Sequence, residues 1–370
     1  MRGQVICAMP RDIKALSRAG PIRLGPKVLE LKVLELKVWG LKAGAYTHMT
    51  QAIRIHAHGG PDVLSWDQVD VGAPGPGEVR LSQRACGLNF IDTYHRSGLY
   101  KLATLPAVIG MEAAGDITAV GPGVAEFKAG DRVAYAGVLG GYAQERLISA
   151  DRIVKLPAAV SYDTAAAMML QGMTVRYLFC DTYKVTPATV MLFHAAAGGV
   201  GLIACQWARA LGATIIGTVS SDAKAALARA NGCTHVINTT TEDFTARVRD
   251  ITGGALCDVV YDSIGRDTFP ASLDCLKPRG LWVSFGSASG PVPPFDLTVL
   301  KGSLFATRPS LMAHTARCED LTANAADLFD RVASGKIKIA VNQTYALKDA
   351  ATAHRDLEAR KTTGSTVLVP

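Results

Sequence analysis

Residues 189–201 read TVMLFHAAAGGVG, an apolar run entering a glycine-rich turn, and residues 202–212 continue as LIACQWARALG, helical in spacing and stopped by Gly212. A strand, a turn and a helix in that order make the opening unit of a dinucleotide-binding sheet. Set against G-x-G-x-x-G, the segment Ala196-Ala197-Gly198-Gly199-Val200-Gly201 carries alanine at the first glycine. Gly198 lets the backbone approach a pyrophosphate, and Gly201 lets the helix pack closely on the strand. The helix N-terminus adds free N–H groups and a positive dipole for the phosphates. The glycine pattern alone is weak; the strand before it and the helix after it give it weight.

Downstream the same grammar repeats. TIIGTV (214–219) reads as a strand, DAKAALARANG (222–232) as a helix, THVIN (234–238) as a strand and TEDFTARVRDITGG (241–254) as a helix. CDVVYD (257–262) is a strand, TFPASLDCLKPRG (268–280) a helix, and LWVSFG (281–286) and SLFAT (303–307) two more strands. Strands alternating with helices predict right-handed βαβ units and a parallel sheet. Upstream, QAIRIHAHGG, EVRLSQRACG, GDITAVG, GDRVAYAG and YAQERLISA are short strands punctuated by glycine turns, as in a β-rich barrel. Helical spacing begins at a cap at Ser161 and runs through residues 161–183. The expected class is α/β: a β-rich domain of residues 49–172 and 308–370, with a Rossmann doubly wound parallel-sheet domain, residues 173–307, inserted in it.

The formal charge of +7 invites a nucleic-acid reading, but its location answers it. Residues 1–48 hold nine basic and three acidic side chains, leaving 30 basic and 29 acidic ones in the rest of the chain. A nearly neutral body lacks the clustered cations that phosphate backbones need, so nucleic acid is not an expected partner. Within the leader, residues 27–41 read KVLEL, KVLEL, KVWGL, a five-residue period that suits neither helix nor strand. Residues 1–48 are therefore read as an upstream extension from a misplaced start codon, expected to be poorly ordered, with a mitochondrial transit peptide as the alternative. The eight cysteines show no C-x-x-C pair, which points to reduced thiols and a cytoplasmic setting. No uncharged apolar run of about 18 residues supports a membrane span.

The second strand speaks to cofactor choice. An NAD site places an acid at its end for the ribose 2′-hydroxyl. Here TIIGTV runs into Ser220, Ser221, Asp222, Ala223 and Lys224. Two hydroxyls and a lysine suit a 2′-phosphate, and Asp222 is read as a cap of the following helix, so NADPH is favoured.

With these residues in view, GLNFIDTYHRSGLY (87–100), LFHAAAGGVGLIACQWA (192–208), VVYDSIGRDTF (259–269), VSFGSASG (283–290) and ATRPSL (306–311) resemble the zinc-free quinone oxidoreductases related to zeta-crystallin. The likeness spans Met49–Pro370 and is nearest to the bacterial NADPH:quinone reductases, within the medium-chain dehydrogenase/reductase superfamily. It implies a GroES-like catalytic domain around the inserted Rossmann domain. Zinc alcohol dehydrogenases of that superfamily place ligands in C-G-x-C-x-x-D and G-H-E. Those positions here read Cys86-Gly87-Leu88-Asn89-Phe90-Ile91-Asp92 and Gly110-Met111-Glu112, with asparagine and methionine where ligands would stand. Hydride addition to a simple ketone makes an alkoxide that needs a Lewis acid. Addition to a quinone or enone makes a delocalised oxyanion that hydrogen-bond donors can stabilise. Conjugated acceptors are therefore expected.

By the same resemblance, Asn89 and Tyr94 line the cleft near the nicotinamide, with Tyr94 as the hydroxyl nearest the acceptor carbonyl and Tyr100 at the pocket mouth. The family's nucleotide contacts carry over to Phe90, Ile91 and Asp92, to Thr174 and Tyr177, and to Gly198, Gly199 and Val200. They continue through Ser220, Ser221 and Lys224, then Ile264, Phe285, Gly286, Ser287 and Pro309. Thr239 departs from the tyrosine of the bacterial reductases, and Arg360 stands where they place an arginine near the adenosine phosphate. A homodimer joined through SLFAT as an edge strand is expected. The competing readings are an enone or alkenal reductase using the same residues, and a zeta-crystallin-like RNA-binding or structural protein.

Overall fold

The computed structural model describes residues 48–370. The expectations for the leader lie outside them, apart from its last residue.

The chain opens with β1 (Met49–Ile55), β2 (Leu64–Asp70) and β3 (Glu78–Leu88), followed by helix α1 (Phe90–Ser97). Then come β4 (Ala107–Val108), β5 (Glu112–Val120), β6 (Arg132–Ala136), β7 (Glu145–Ser149) and β8 (Val154–Lys155). Helices α2 (Tyr162–Ala166) and α3 (Met169–Tyr177) lead to β9 (Val190–Phe193), α4 (Gly199–Leu211), β10 (Thr214–Val219), α5 (Asp222–Ala230) and β11 (His235–Asn238). The chain continues through α6 (Phe244–Ile251), β12 (Cys257–Asp262), β13 (Leu276–Ser284) and β14 (Phe305–Thr307). It closes with α7 (Leu311–His314), α8 (Cys318–Ala333), β15 (Val341–Ala346), α9 (Ala350–Glu358) and β16 (Ser365–Val369).

Strands β9 to β14 form a six-stranded sheet in the order β11-β10-β9-β12-β13-β14, every neighbour parallel. The sequence order reverses at β9, and the open cleft beyond the carboxyl ends there is where such sheets take ligands. Both faces of this sheet are covered, which is why its strands read as near-continuous apolar runs. Strands from both ends of the chain form a seven-stranded sheet in the order β15-β16-β3-β5-β6-β8, with β7 also on β3, and β2-β1-β4 form a separate three-stranded sheet. The last strand, β16, pairs antiparallel with β3, bringing Thr366 opposite Leu88. The chain thus leaves the β-rich lobe, builds the Rossmann sheet, and returns to complete the first lobe.

Two local expectations are corrected. Residues 161–183 do not form one helix: Ser161 caps α2 by accepting from the Thr164 N–H, but the backbone breaks at Met168 before α3 begins. Residues 268–280 do not form a helix either. A short 3-10 turn spans Ala271–Cys275, and β13 follows at once. Pro278 has no N–H for either a helix or a ladder. The ladder absorbs it as a bulge: Cys257 faces Leu276, yet Val259 faces Leu281, and Arg279 takes φ +63°. In α4, Leu202, Ile203, Ala204, Cys205, Trp207 and Ala208 are all buried, which joins this helix to both the sheet and α8.

Candidate functional site

A cleft of about 1280 Å³ runs between the glycine loop of the parallel sheet and the α1 side of the β-rich lobe. Of the residues singled out from the sequence, Asn89, Phe90, Ile91, Tyr94, Tyr100, Thr174 and Tyr177 line it. So do Gly198, Gly199, Val200, Ser220, Lys224, Thr239, Ile264, Phe285, Gly286, Pro309 and Arg360. Asp92, Ser221 and Ser287 do not reach the wall with their side chains. Asp92 is fully buried beneath it, Ser221 caps α5 by accepting from the Lys224 N–H, and Ser287 is buried behind Gly286. The sequence puts that cap at Asp222, but its carboxylate instead accepts from Asn238 Nδ2 at 2.9 Å, because the side chain before the helix's first residue is the one placed to reach back.

The loop 196–201 fits a dinucleotide. Gly198 ends the turn in extended backbone with no side chain capping α4, so the first N–H groups of the helix are left for an anion. A Cβ on Gly199 would stand 2.0 Å from the Gln171 side-chain oxygen, and one on Gly201 would stand 2.4 Å from the Ala195 carbonyl oxygen. Only glycine keeps this cradle open while the helix packs against its strand. The returning chain closes on the same loop, where Gly364 N donates to the Ala197 carbonyl at 3.3 Å. At one end of the cleft, Lys224 Nζ donates to the Arg360 carbonyl at 2.9 Å, so a lysine and an arginine stand with Ser220 on the wall, neither in an ion pair among the described residues. Burial and the neighbouring Arg360 hold the Lys224 ammonium below its ordinary pKa.

At the other end, α1 carries Tyr94. Its hydroxyl accepts from the Ser287 N–H at 3.0 Å, a contact made across the cleft. The phenol is 8% exposed, and burial pushes its pKa up to about 12, so it stays protonated and keeps its own hydrogen to donate. Tyr100 packs edge-on against it at 5.2 Å. Asn89 is held rather than free. Its Nδ2 donates to Glu112 Oε2 at 2.7 Å, and its Oδ1 accepts from Gln171 Nε2 at 3.0 Å. Gln171 in turn accepts from the Ser365 hydroxyl at 2.8 Å. Burial raises the Glu112 carboxyl to about 8.

Below this floor runs a buried polar chain. Burial raises the Asp92 carboxyl to about 7, against the Asn89 N–H and the Tyr142 hydroxyl, both of which donate to Oδ2. Burial and Arg96 push His354 down to about 3, so the imidazole is neutral. Its Nδ1 accepts from Arg96 at 2.9 Å, which leaves Nε2 to donate to the Tyr142 oxygen at 3.2 Å. Arg96, 2% exposed, ends the chain as a two-armed pair with Glu358 at 2.6 and 3.1 Å.

Several functional positions escaped the sequence reading. Arg308 lines the cleft beside Tyr100, and Asp262, fully buried, organises the loop below Ile264 by accepting from Ile264 N, Gly265 N, Thr268 and Ser272. Asp262 ends β12 and Arg308 follows β14, at the carboxyl ends of parallel strands where ligand-facing residues gather, and that rule could have found them. Gln171 carried no signal.

Three comparisons bear on this arrangement. Residues 75–158 match the family described as alcohol dehydrogenase GroES-like domain, and residues 199–330 the one described as zinc-binding dehydrogenase. A quinone oxidoreductase of Pseudomonas aeruginosa is 51% identical over 325 residues, covering 87% of this chain and 100% of the relative. A 2-haloacrylate reductase of Burkholderia is 48% identical, covering 87% and 99%. The crystal structure of Escherichia coli quinone oxidoreductase complexed with NADPH superposes with a TM-score of 0.85 at 51% identity, over 86% of this chain and 100% of that one. At the two positions where zinc dehydrogenases carry ligands, the structure holds an asparagine committed to Glu112 and Gln171 and a methionine 4% exposed. The chain belongs to the zinc-free quinone oxidoreductase family of the medium-chain dehydrogenases/reductases.

Proposed function

We propose that the protein reduces quinones with NADPH, using residues 173–307 as the cofactor lobe and residues 49–172 and 308–370 as the catalytic lobe. The observation that carries this reading is the Tyr94 hydroxyl, buried, protonated and donor-ready at the cleft end away from Lys224. Gly198–Val200 would hold the pyrophosphate of NADPH and Ser220, Lys224 and Arg360 its 2′-phosphate, and the bound cofactor would supply a hydride. Tyr94 donates a hydrogen bond to the acceptor oxygen as negative charge develops there. The Ser287 N–H polarises that hydroxyl from behind, and burial keeps water from competing. A phenol held at about 12 orients and stabilises the acceptor; solvent delivers the completing proton. Asn89 acts through position, fixing the start of α1 under Tyr94.

The protein works in the cytoplasm as a homodimer joined at the β14 edge, where Phe305 is 58% exposed. The Burkholderia relative supports a second reading in which the same residues reduce other conjugated acceptors. The test is NADPH and NADH consumption by the purified protein against a panel of quinones, enones and simple ketones. Turnover with quinones and NADPH is expected; turnover confined to simple ketones or alcohols would overturn the assignment.

A further inference from the structure

Among the described residues, four of the five acidic side chains that line the cleft are engaged elsewhere, and the fifth, Asp274, makes no ion pair with Arg308. Glu358 pairs with Arg96, Glu242 with Arg247, and Asp267 with Arg266. Asp243 caps α6. Apart from Lys224 and Arg360 at the far end, Arg308 lines the cleft with no carboxylate paired to it among the described residues. The Arg308 guanidinium makes five hydrogen bonds, all to neutral oxygens. Nη1 reaches the Ser284 carbonyl at 3.0 Å, the Ser284 hydroxyl at 3.4 Å and the Gly286 carbonyl at 3.4 Å. Nη2 reaches the Tyr100 hydroxyl at 2.8 Å and the Ser287 hydroxyl at 3.3 Å.

These contacts aim the charge. Arg308 holds Tyr100, Tyr100 packs on Tyr94, and Tyr94 accepts from the backbone of the same Ser287 whose hydroxyl accepts from Arg308. The guanidinium is therefore fixed one residue away from the hydroxyl assigned to the acceptor carbonyl, at the opposite end of the cleft from Lys224 and Arg360. Its partners are all neutral, so a carboxylate or sulfonate on this wall would meet a permanent, uncompensated charge and compete for its longer contacts, to Gly286 at 3.4 Å and the Ser287 hydroxyl at 3.3 Å. A neutral acceptor would leave this charge without a partner.

We propose that Arg308 selects acceptors that carry an anionic group, a carboxylate or sulfonate, beside the conjugated carbonyl. This rests on the reading of the cleft as the site of hydride acceptance. Such an acceptor arrives with one negative charge and gains a second when the hydride reaches carbon and the π pair moves to oxygen. A proton from water then completes the two-electron reduction. Arg308 offsets the charge present on arrival, while Tyr94 meets the charge that develops.

The test pairs 1,4-naphthoquinone with 1,4-naphthoquinone-2-sulfonate as acceptors, in chloride buffer free of thiols, for the native protein and for Arg308→Met and Arg308→Lys. A second arm titrates naphthalene-2-sulfonate, which cannot be reduced, into the NADP⁺-loaded protein by calorimetry. In Arg308→Met the ratio of kcat/KM for the sulfonate over the neutral quinone should fall about tenfold, the scale of one charge-assisted hydrogen bond at a partly exposed site. Naphthalene-2-sulfonate should bind about tenfold more weakly, and NADPH affinity should move less than about twofold. Arg308→Lys should recover part of both losses. Added salt should erode the native preference, because the site is open to screening. Equal losses for the two acceptors, or a loss of NADPH affinity in step with them, would overturn the proposal and make Arg308 a structural or cofactor residue. If the native protein reduces neither quinone yet binds naphthalene-2-sulfonate through Arg308, the anion site stands and the quinone reading falls.

Discussion

Lys224→Met probes how the cleft tells a phosphate from a hydroxyl. The ammonium lies in the first turn of α5, lines the cleft and is tied to the Arg360 carbonyl. Its low pKa records two costs in the free protein, burial and the nearby guanidinium. An incoming 2′-phosphate offsets both. A hydrogen bond to a charged partner contributes ~1.5–3 kcal/mol, and partial exposure argues for the low end. A loss of about 1.4 kcal/mol is tenfold in affinity. The Kd for NADPH, read by fluorescence titration, should therefore rise about tenfold, while that for NADH should move less than about twofold. Because Lys224 and Arg360 share one phosphate, the double variant with Arg360→Met should depart from additivity by about 0.5 kcal/mol or more. Parallel losses for both cofactors would refute the reasoning and make Lys224 a tether of the returning chain. No loss for either would pass the selectivity to Ser220 and Arg360.

Tyr94→Phe should lower kcat about a hundredfold with KM for NADPH nearly unchanged, since the lost donor acts on charge that appears only during reaction. Glu112 sets a pH dependence. Its folded pKa of about 8 exceeds the ordinary 4.5, so the native state binds the extra proton between those values and stability falls as pH rises through that window. Asp92, raised to about 7, acts in the same direction. Melting curves from pH 5 to 8.5 should show a shallower decline for Glu112→Gln than for the native protein; identical slopes would refute the assignment. If the chain pairs at β14 as proposed, Phe305→Lys, which places a charge on that exposed edge, should give a monomeric mass by light scattering where the native protein gives a dimeric one, without changing NADPH affinity.

Much of this architecture was legible because period and punctuation agreed. Residues 189–219 alternate strand, glycine turn, helix and strand, and only a parallel sheet accommodates that order. Gly212 ends α4 at φ +75°, as its place after the last apolar residue implied. Residues 268–280 misled because apolar spacing outvoted Pro278, whose missing N–H decides the matter locally. The cleft was legible wherever the backbone itself makes the site, as at Gly198–Gly201. It was illegible where a role depends on which partner a side chain meets across the fold. Asn89 lines the cleft as expected, but the sequence did not show that its amide is tied to Glu112 and Gln171, residues 23 and 82 positions away.

The buried chain from Asp92 to Glu358 also governs when the protein can become whole. Arg96 meets His354 and Glu358 across separations of 258 and 262 residues, with the entire parallel sheet encoded between them. On the ribosome, the N-terminal part of the β-rich lobe emerges first, carrying a guanidinium whose partners have not yet been synthesised. Its sheet also lacks β16, the strand that pairs with the inner edge of β3. The inserted lobe, with its local βαβ contacts, can condense on its own as it emerges. The lobe that starts first is therefore finished last, and residues 350–370 act as the latch. A nascent chain stalled before Ala350 lacks His354, Glu358 and β16, so the catalytic lobe cannot yet close its sheet or its buried polar chain.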